Sequence, residues 1–222
     1  MYGPRLVTCR ALIFDFNGTL SDDESIMYRV FAELFADQGK PLGQADYVER
    51  LAGHSDEEII RRWLGERPDM EALVARRVAR YNELSSDGAT ISQGVRDAVW
   101  YAAARVPVAI VSGAAAAEIV PVIDAAGLAE AFVAIVASDH VADGKPHPEG
   151  YLAALDLLAA ARGPLLPDEV TVFEDTEAGV GSAKAAGMQC VAIVGTMSAD
   201  RLSEADEIAD AIDVSLVERL LA

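Results

Sequence analysis

Five side chains in this sequence stand where short apolar runs give way to turns or in a proline-braced loop, and their types suit transfer of a phosphoryl group. Asp15 follows the run Ala11 to Phe14, Ser112 follows Val106 to Val111, and Glu174 and Asp175 follow Val170 to Phe173. Lys145 sits in Asp143-Gly144-Lys145-Pro146-His147-Pro148, where the fixed φ of proline restrains the direction in which the lysine points. Singly, each has an ordinary explanation: a serine caps a helix, a lysine is a solvated charge, and Gly18 after a strand is turn chemistry. Jointly they form a chemical set. Carboxylates hold a divalent cation, a hydroxyl and an ammonium bind phosphate oxygens, and Asp15 is free to attack phosphorus.

The elements that must position these groups follow from hydrophobic periodicity. Ala11–Phe14, Val106–Val111, Phe132–Ala137, Val170–Phe173 and Cys190–Val194 are short apolar or β-branched runs that predict buried strands. Between the later ones lie Ala-rich stretches, Val95–Arg105, Ala115–Ala126, Glu149–Ala161 and Ala178–Ala186, that predict helices. Alternation of this kind predicts an α/β fold, a Rossmann-like parallel sheet covered on both faces. In such a sheet ligands bind beyond the carboxyl ends of the strands, where the candidate residues fall. Residues 21–88 break the alternation. Ser21-Asp22-Asp23-Glu24 supplies oxygens suited to cap a helix that ends near Gly39, and helical patterns recur at Asp46–Ala52, at Asp56–Leu64 behind Ser55, and at Asp69–Leu84. The expected organisation is a core of residues 1–20 and 89–222 with a helical cap at 21–88, hinged near Ser21 and Asp87-Gly88.

Bulk properties narrow the partners. With 18 basic and 36 acidic residues among 222, the chain carries a formal charge of −18, which repels nucleic acid and anionic membranes. Most of the acids are scattered along the helical stretches as a solvated face would be. Cys9 and Cys190 lack the spacing of a metal site or a disulfide framework and read as thiols in a reducing compartment. No basic-then-apolar leader opens the sequence, and every apolar stretch is interrupted well short of a membrane span. A cytoplasmic protein is expected, as a monomer or weak homodimer acting on a small molecule.

The four motifs, in order, resemble those of the haloacid dehalogenase superfamily across essentially the whole chain. The D-x-D-G-T-L motif is similar to Asp15-Phe16-Asn17-Gly18-Thr19-Leu20, the strand-terminal hydroxyl to Ser112, the lysine motif to Gly144-Lys145-Pro146, and E-D-S-x-x-G to Glu174-Asp175-Thr176-Glu177-Ala178-Gly179. The cap resembles that of the subgroup containing phosphoglycolate phosphatase, sugar-phosphate phosphatases and β-phosphoglucomutase. The resemblance implies Asp15 as the nucleophile that forms an aspartyl-phosphate, and Mg²⁺ held by Asp15, Asp175, the Asn17 backbone carbonyl and Glu174, directly or in outer support. It implies Ser112 and Lys145 on the phosphoryl oxygens, with Gly18, Thr19, Gly113 and His54 at the substrate.

Asn17 departs from the motif. The family's phosphatases carry there an Asp that protonates the leaving group, and an amide exchanges no proton near neutral pH. Loss of such a group removes about 10²–10⁴-fold of rate, so weak turnover or another proton donor is expected, with His54 the first candidate and His140 and His147 expected to face solvent. Asp56 stands where the mutases place an arginine for a distal phosphate, which disfavours a bisphosphate; Arg61 and Arg62 read as the wet face of their helix. The cap segment 42–88 contains no lysine for Schiff-base chemistry. Two alternatives to a phosphatase remain: a 2-haloacid dehalogenase-like hydrolase, and a phosphate-binding regulatory protein with little turnover.

Overall fold

The computed structural model describes residues 8–222, so residues 1–7 of the expected core segment lie outside the described residues. Six strands form one parallel sheet in the order β3-β2-β1-β4-β5-β6. They are β1 (Ala11–Phe14), β2 (Val108–Val111), β3 (Ala134–Val136), β4 (Val170–Glu174), β5 (Gln189–Ile193) and β6 (Glu207–Ala209). β1 lies inside the sheet between β2 and β4, in register with both. Every residue of β1, β2 and β4 is buried, as continuous apolar runs require when both faces are covered.

The two-residue period of the strand divides β1 between two cores. Leu12 and Phe14 enter one, shared with the cap, α5 (Gln93–Ala103), α6 (Ala116–Ala125) and α9 (Val214–Leu221). Ala11 and Ile13 enter the other, under α7 (Glu149–Arg162) and α8 (Glu177–Ala185). The strand β6 and the helix α9 were not expected from the sequence. β6 is three residues long at the sheet edge, and its Ile208 is 41% exposed, so it carries no apolar signature. α9 is capped by Asp213, whose carboxylate accepts from the Leu216 amide.

Between β1 and α5 the described chain is helical: α1 (Glu24–Asp37), α2 (Gln44–Arg50), α3 (Asp56–Leu64) and α4 (Met70–Ser85). α3 begins where Ser55 predicts, with the hydroxyl accepting from the Glu58 amide. Phe31 and Phe35 of α1 are fully buried and pack with Tyr47 and Trp63. Burying each contributes about 1.5–3 kcal/mol, which holds the small block together. Past α4 the chain turns at Gly88 with φ of +71°, where a Cβ would lie 2.6 Å from the Ala126 nitrogen. Both the positive φ and the backbone approach require glycine there.

Candidate active site

Strand pairing places the carboxylates. The Asp15 amide donates to the Phe173 carbonyl at 2.9 Å, continuing the β1–β4 ladder one residue past β1 and setting Asp15 beside Glu174 and Asp175. The turn that follows is forced inward. A Cβ at Gly18, whose φ is +73°, would lie 2.0 Å from Asp175 Oδ2. Thr19 Oγ1 donates to Asp175 Oδ1 at 3.2 Å. Gly18 and Thr19, expected at the substrate, therefore lie behind the carboxylates, and neither lines the cleft.

Lys145 crosses from its loop to the same point. Its Nζ donates to Asp15 Oδ1 at 2.5 Å, to Glu174 Oε1 at 2.5 Å and to the Val111 carbonyl at 3.1 Å. Glu174 is saturated: Oε1 also accepts from the Tyr151 hydroxyl, and Oε2 from the amides of Asp175 and Thr176 and the Thr176 hydroxyl. A Cβ at Gly179 would fall 1.9 Å from that carboxylate, so the glycine of the last motif is the floor on which Glu174 rests. Ser112 is buried, and its Oγ accepts from the Ala114 amide.

These residues fit a divalent cation. Oxygens of Asp15, Glu174 and Asp175 lie within 4.8 Å of one another, and Asp175 Oδ2 is buried with no hydrogen-bond partner. That oxygen faces Gly18 and the Thr196 hydroxyl, and the three close-set carboxylates together are the donor set that suits a divalent cation. With both oxygens of Glu174 occupied, Asp15 and Asp175 offer the available lone pairs, and Glu174 fits outer support.

Charge crowding shifts the titrations accordingly. Burial pushes the Asp15 carboxyl up to about 7, against the pull of the Lys145 ammonium and with the help of the Glu174 charge. Burial, then the charges of Asp15 and Glu174, hold Asp175 well above the carboxylate range. Burial opposes the Lys145 ammonium, but the two carboxylates outweigh it and raise its pKa. Without a cation the native state keeps a proton on Asp15 between 3.8, its ordinary value, and about 7, while the unfolded chain has lost it. Stability of the metal-free protein is accordingly expected to fall as pH rises through that window, because the unfolded state binds fewer protons there. A divalent cation held by these carboxylates would take the place of the proton, so added Mg²⁺ should raise the melting temperature more at pH 8 than at pH 5. Equal shifts at both pH values would contradict a cation bound by these carboxylates.

A cleft of about 770 Å³ opens over the site. Asp15, Asn17, Ser112, Gly113, Lys145 and Asp175 line its floor; Gly53, His54, Asp56 and Arg77 line it from the cap. Gly53 sits against the core, since a Cβ there would meet Met197 at 3.0 Å and Thr176 at 3.4 Å. His54 stands on the rim, 3.4 Å from Glu58. His140 and His147 are about half exposed. Arg61 and Arg62 pair with Glu57, Glu66 and Glu58 on the exposed face.

Three residues not singled out in the sequence converge here. Arg77 of α4, 1% exposed, pairs with Glu118 of α6 and lies 3.3 Å from Asp56. An arginine on α4 thus reaches Asp56 at the start of α3. Asp23 occupies the cap position of α1 yet makes no cap bond. Its carboxylate instead accepts from Asn17 Nδ2 at 2.8 Å, from the Gly18 amide and from the Tyr81 hydroxyl. Helical periodicity marks Arg77 and Tyr81 only as members of α4, and Asp23 reads as an ordinary cap, so the long-range partners give no local signal.

Residues 12–193 match the family model described as haloacid dehalogenase-like hydrolase. Validoxylamine A 7'-phosphate phosphatase of Streptomyces hygroscopicus subsp. limoneus is 28% identical over 89% of this chain and 91% of its own length. The phosphorylated carbohydrates phosphatase of Thermotoga maritima is 29% identical over 81% of this chain and 82% of its own. The crystal structure of CbbY from Rhodobacter sphaeroides in complex with phosphate superposes with a TM-score of 0.81, at 26% identity, over 94% of this chain and 96% of that one.

Proposed function

The chain belongs to the haloacid dehalogenase-like hydrolases, and from that membership we propose that it is a Mg²⁺-dependent phosphatase of a small phosphate monoester, a sugar phosphate or related polyol phosphate. The observation that carries this reading is the group Asp15, Lys145 and Asp175 at one point of the cleft floor, with oxygens of Asp15, Glu174 and Asp175 within 4.8 Å of one another. The names of the relatives, which concern phosphorylated carbohydrates and validoxylamine A 7'-phosphate, point to the same chemistry.

In the proposed reaction an Asp15 carboxylate oxygen attacks phosphorus, the bond to the ester oxygen breaks, the leaving oxygen takes a proton from a water in the cleft and departs as the alcohol, and an aspartyl-phosphate forms. The Ser112 hydroxyl holds a phosphoryl oxygen, and Lys145, whose three N–H groups are taken by Asp15, Glu174 and the Val111 carbonyl, supplies positive charge beside the phosphoryl group and keeps Asp15 ionised in the loaded site. Glu174, fixed by its five donors, holds Lys145 and the Asp175 backbone in place. When bound by Asp15, Asp175 and the Asn17 carbonyl, Mg²⁺ would neutralise charge on the phosphoryl oxygens. Water then hydrolyses the acyl-phosphate. Residues 21–88 act as a lid whose cap loop at Gly53-His54 excludes bulk water. Among the described residues no arginine pairs with Asp15, which weighs against halide chemistry there.

The cleft also favours a single phosphate. Its two lining Lys and Arg residues are committed, Lys145 to the carboxylates and Arg77 to Glu118 and Asp56. A second phosphate would meet Glu24, Asp56 and Glu58, with no unpaired Lys or Arg among the described lining residues to receive it. The test is phosphate release from an aryl phosphate and from hexose and pentose mono- and bisphosphates, with Mg²⁺ and with a chelator. Monophosphates should be hydrolysed at least about tenfold better than bisphosphates in kcat/KM, a difference of one uncompensated charge contact, and the chelator should abolish release. Halide release from a 2-haloacid without Mg²⁺ would replace this reading with a dehalogenase. Thermal stabilisation by esters with no phosphate released would replace it with a binding protein.

A further inference from the structure

Asn17 is not free to choose its orientation. Its Nδ2 donates to Asp23 Oδ2 at 2.8 Å, and the same carboxylate takes the Tyr81 hydroxyl on Oδ2 and the Gly18 amide on Oδ1 at 3.3 Å. Three donors converge on it, so Asp23 acts as the acceptor and Asn17 must turn its nitrogen toward it. The Asn17 oxygen then faces away from Asp23. Asn17 lines the cleft with Asp15, whereas Asp23 is fully buried and does not. Asp23 thereby gives up the bond to a helix amide that its cap position offers. Tyr81, which completes the arrangement, comes from cap helix α4 and is itself fully buried.

We propose that Asp23 is a positioning residue that fixes the Asn17 amide with Oδ1 toward the reacting groups, so that residue 17 works as an oriented hydrogen-bond acceptor instead of a proton carrier. The proposal rests on the phosphatase reading. An oriented acceptor can hold the O–H of the attacking water, which would otherwise have to be aligned in the transition state. Amide and carboxyl group are then one exchanged pair: residue 17 carries the amide and residue 23 the carboxyl. The obvious repair of the motif, Asn17→Asp, places two acceptors face to face at a 2.8 Å contact. The double exchange Asn17→Asp with Asp23→Asn restores one donor facing one acceptor, at nearly unchanged volume. The amide at 23 then donates to the carboxylate at 17 and accepts from the Gly18 amide, and the Tyr81 hydroxyl turns to accept.

The experiment is a double-mutant cycle on kcat and KM for an aryl phosphate and a sugar monophosphate, with melting temperature as the folding control. Asp23→Asn is expected to lower kcat about tenfold with KM within about twofold, because the amide at 17 loses its enforced direction. Asn17→Asp alone is expected to be no faster than the parent, while the double exchange exceeds both single variants by tenfold or more. An additive cycle, or an Asn17→Asp variant that alone gains about 100-fold, the scale of a restored acid/base, would overturn the proposal. A readout independent of turnover accompanies it: the side-chain amide protons of Asn17, followed by NMR without metal or substrate. Slow exchange with solvent in the parent and fast exchange in Asp23→Ser is expected. Fast exchange in the parent would reject the pair whatever the kinetics. Slow exchange together with no phosphate release from any ester would retain the pair as structure, reject its role in the reaction and fail the phosphatase reading.

Discussion

Replacing Asp15 with Asn is expected to abolish phosphate release, lowering kcat by at least about 10⁴-fold, the scale seen when a covalent nucleophile is removed. The fold should survive. Asp15 is buried beside Lys145 and Glu174, and in the metal-free protein its charge is disfavoured by burial, so a neutral amide of the same shape relieves crowding. Melting of the metal-free variant should therefore occur at or above the parent temperature near pH 8. The same variant should form no acid-stable labelled adduct with a labelled ester, whereas the parent quenched during turnover should. A variant that still turns over within tenfold of the parent would remove Asp15 from the nucleophile role and with it the proposed mechanism.

The second large effect is on stability. Arg77→Met removes the cation from a cluster in which Glu118 and Arg77 are each 1% exposed and Asp56 lies 3.3 Å away. Removing one partner of a buried ion pair costs about 3–5 kcal/mol, because the remaining charges stay desolvated. The guanidinium also stacks over Phe31 and Tyr81, contacts that methionine replaces only in part. Because Arg77 and Asp56 belong to the cap and Glu118 to α6, the loss should loosen the cap on the core as well as lower global stability. In the variant the orphaned carboxylates prefer their protons in the folded state, so the deficit should be larger at pH 8 than at pH 5. Adding Glu118→Gln should recover part of it. Chemical denaturation that places Arg77→Met within 1 kcal/mol of the parent, a fraction of that cost, would show that the cluster does not bind cap to core.

Much of the site could be read without coordinates because its parts are local. A buried run ending in a carboxylate predicts a strand delivering Asp15, and the parallel sheet then brings every such strand end to one edge. Ser112, Glu174 and Asp175 were legible for that reason, Lys145 through the prolines of its loop, and the helical block through a periodicity that is independent of what it packs against. The short edge strand β6 lacked any such pattern. The resemblance implied Gly18 and Thr19 at the substrate, but the positive φ of Gly18 turns that segment beneath Asp175.

What the sequence by itself determined is the set of chemical groups and the order of elements that carry them, since hydrophobic period and turn residues act over a few positions. The tertiary structure decided which groups are already spent. Glu174 is saturated by five donors, Arg77 is claimed by two carboxylates from different elements, and Asp23 leaves its helix terminus to hold Asn17. Each partner of Arg77 lies more than twenty residues away in sequence, and Tyr81 lies 58 residues from Asp23. A hydrogen bond needs only proximity in space and leaves no periodic trace along the chain, so the availability of a charged group emerges only when the chain has folded.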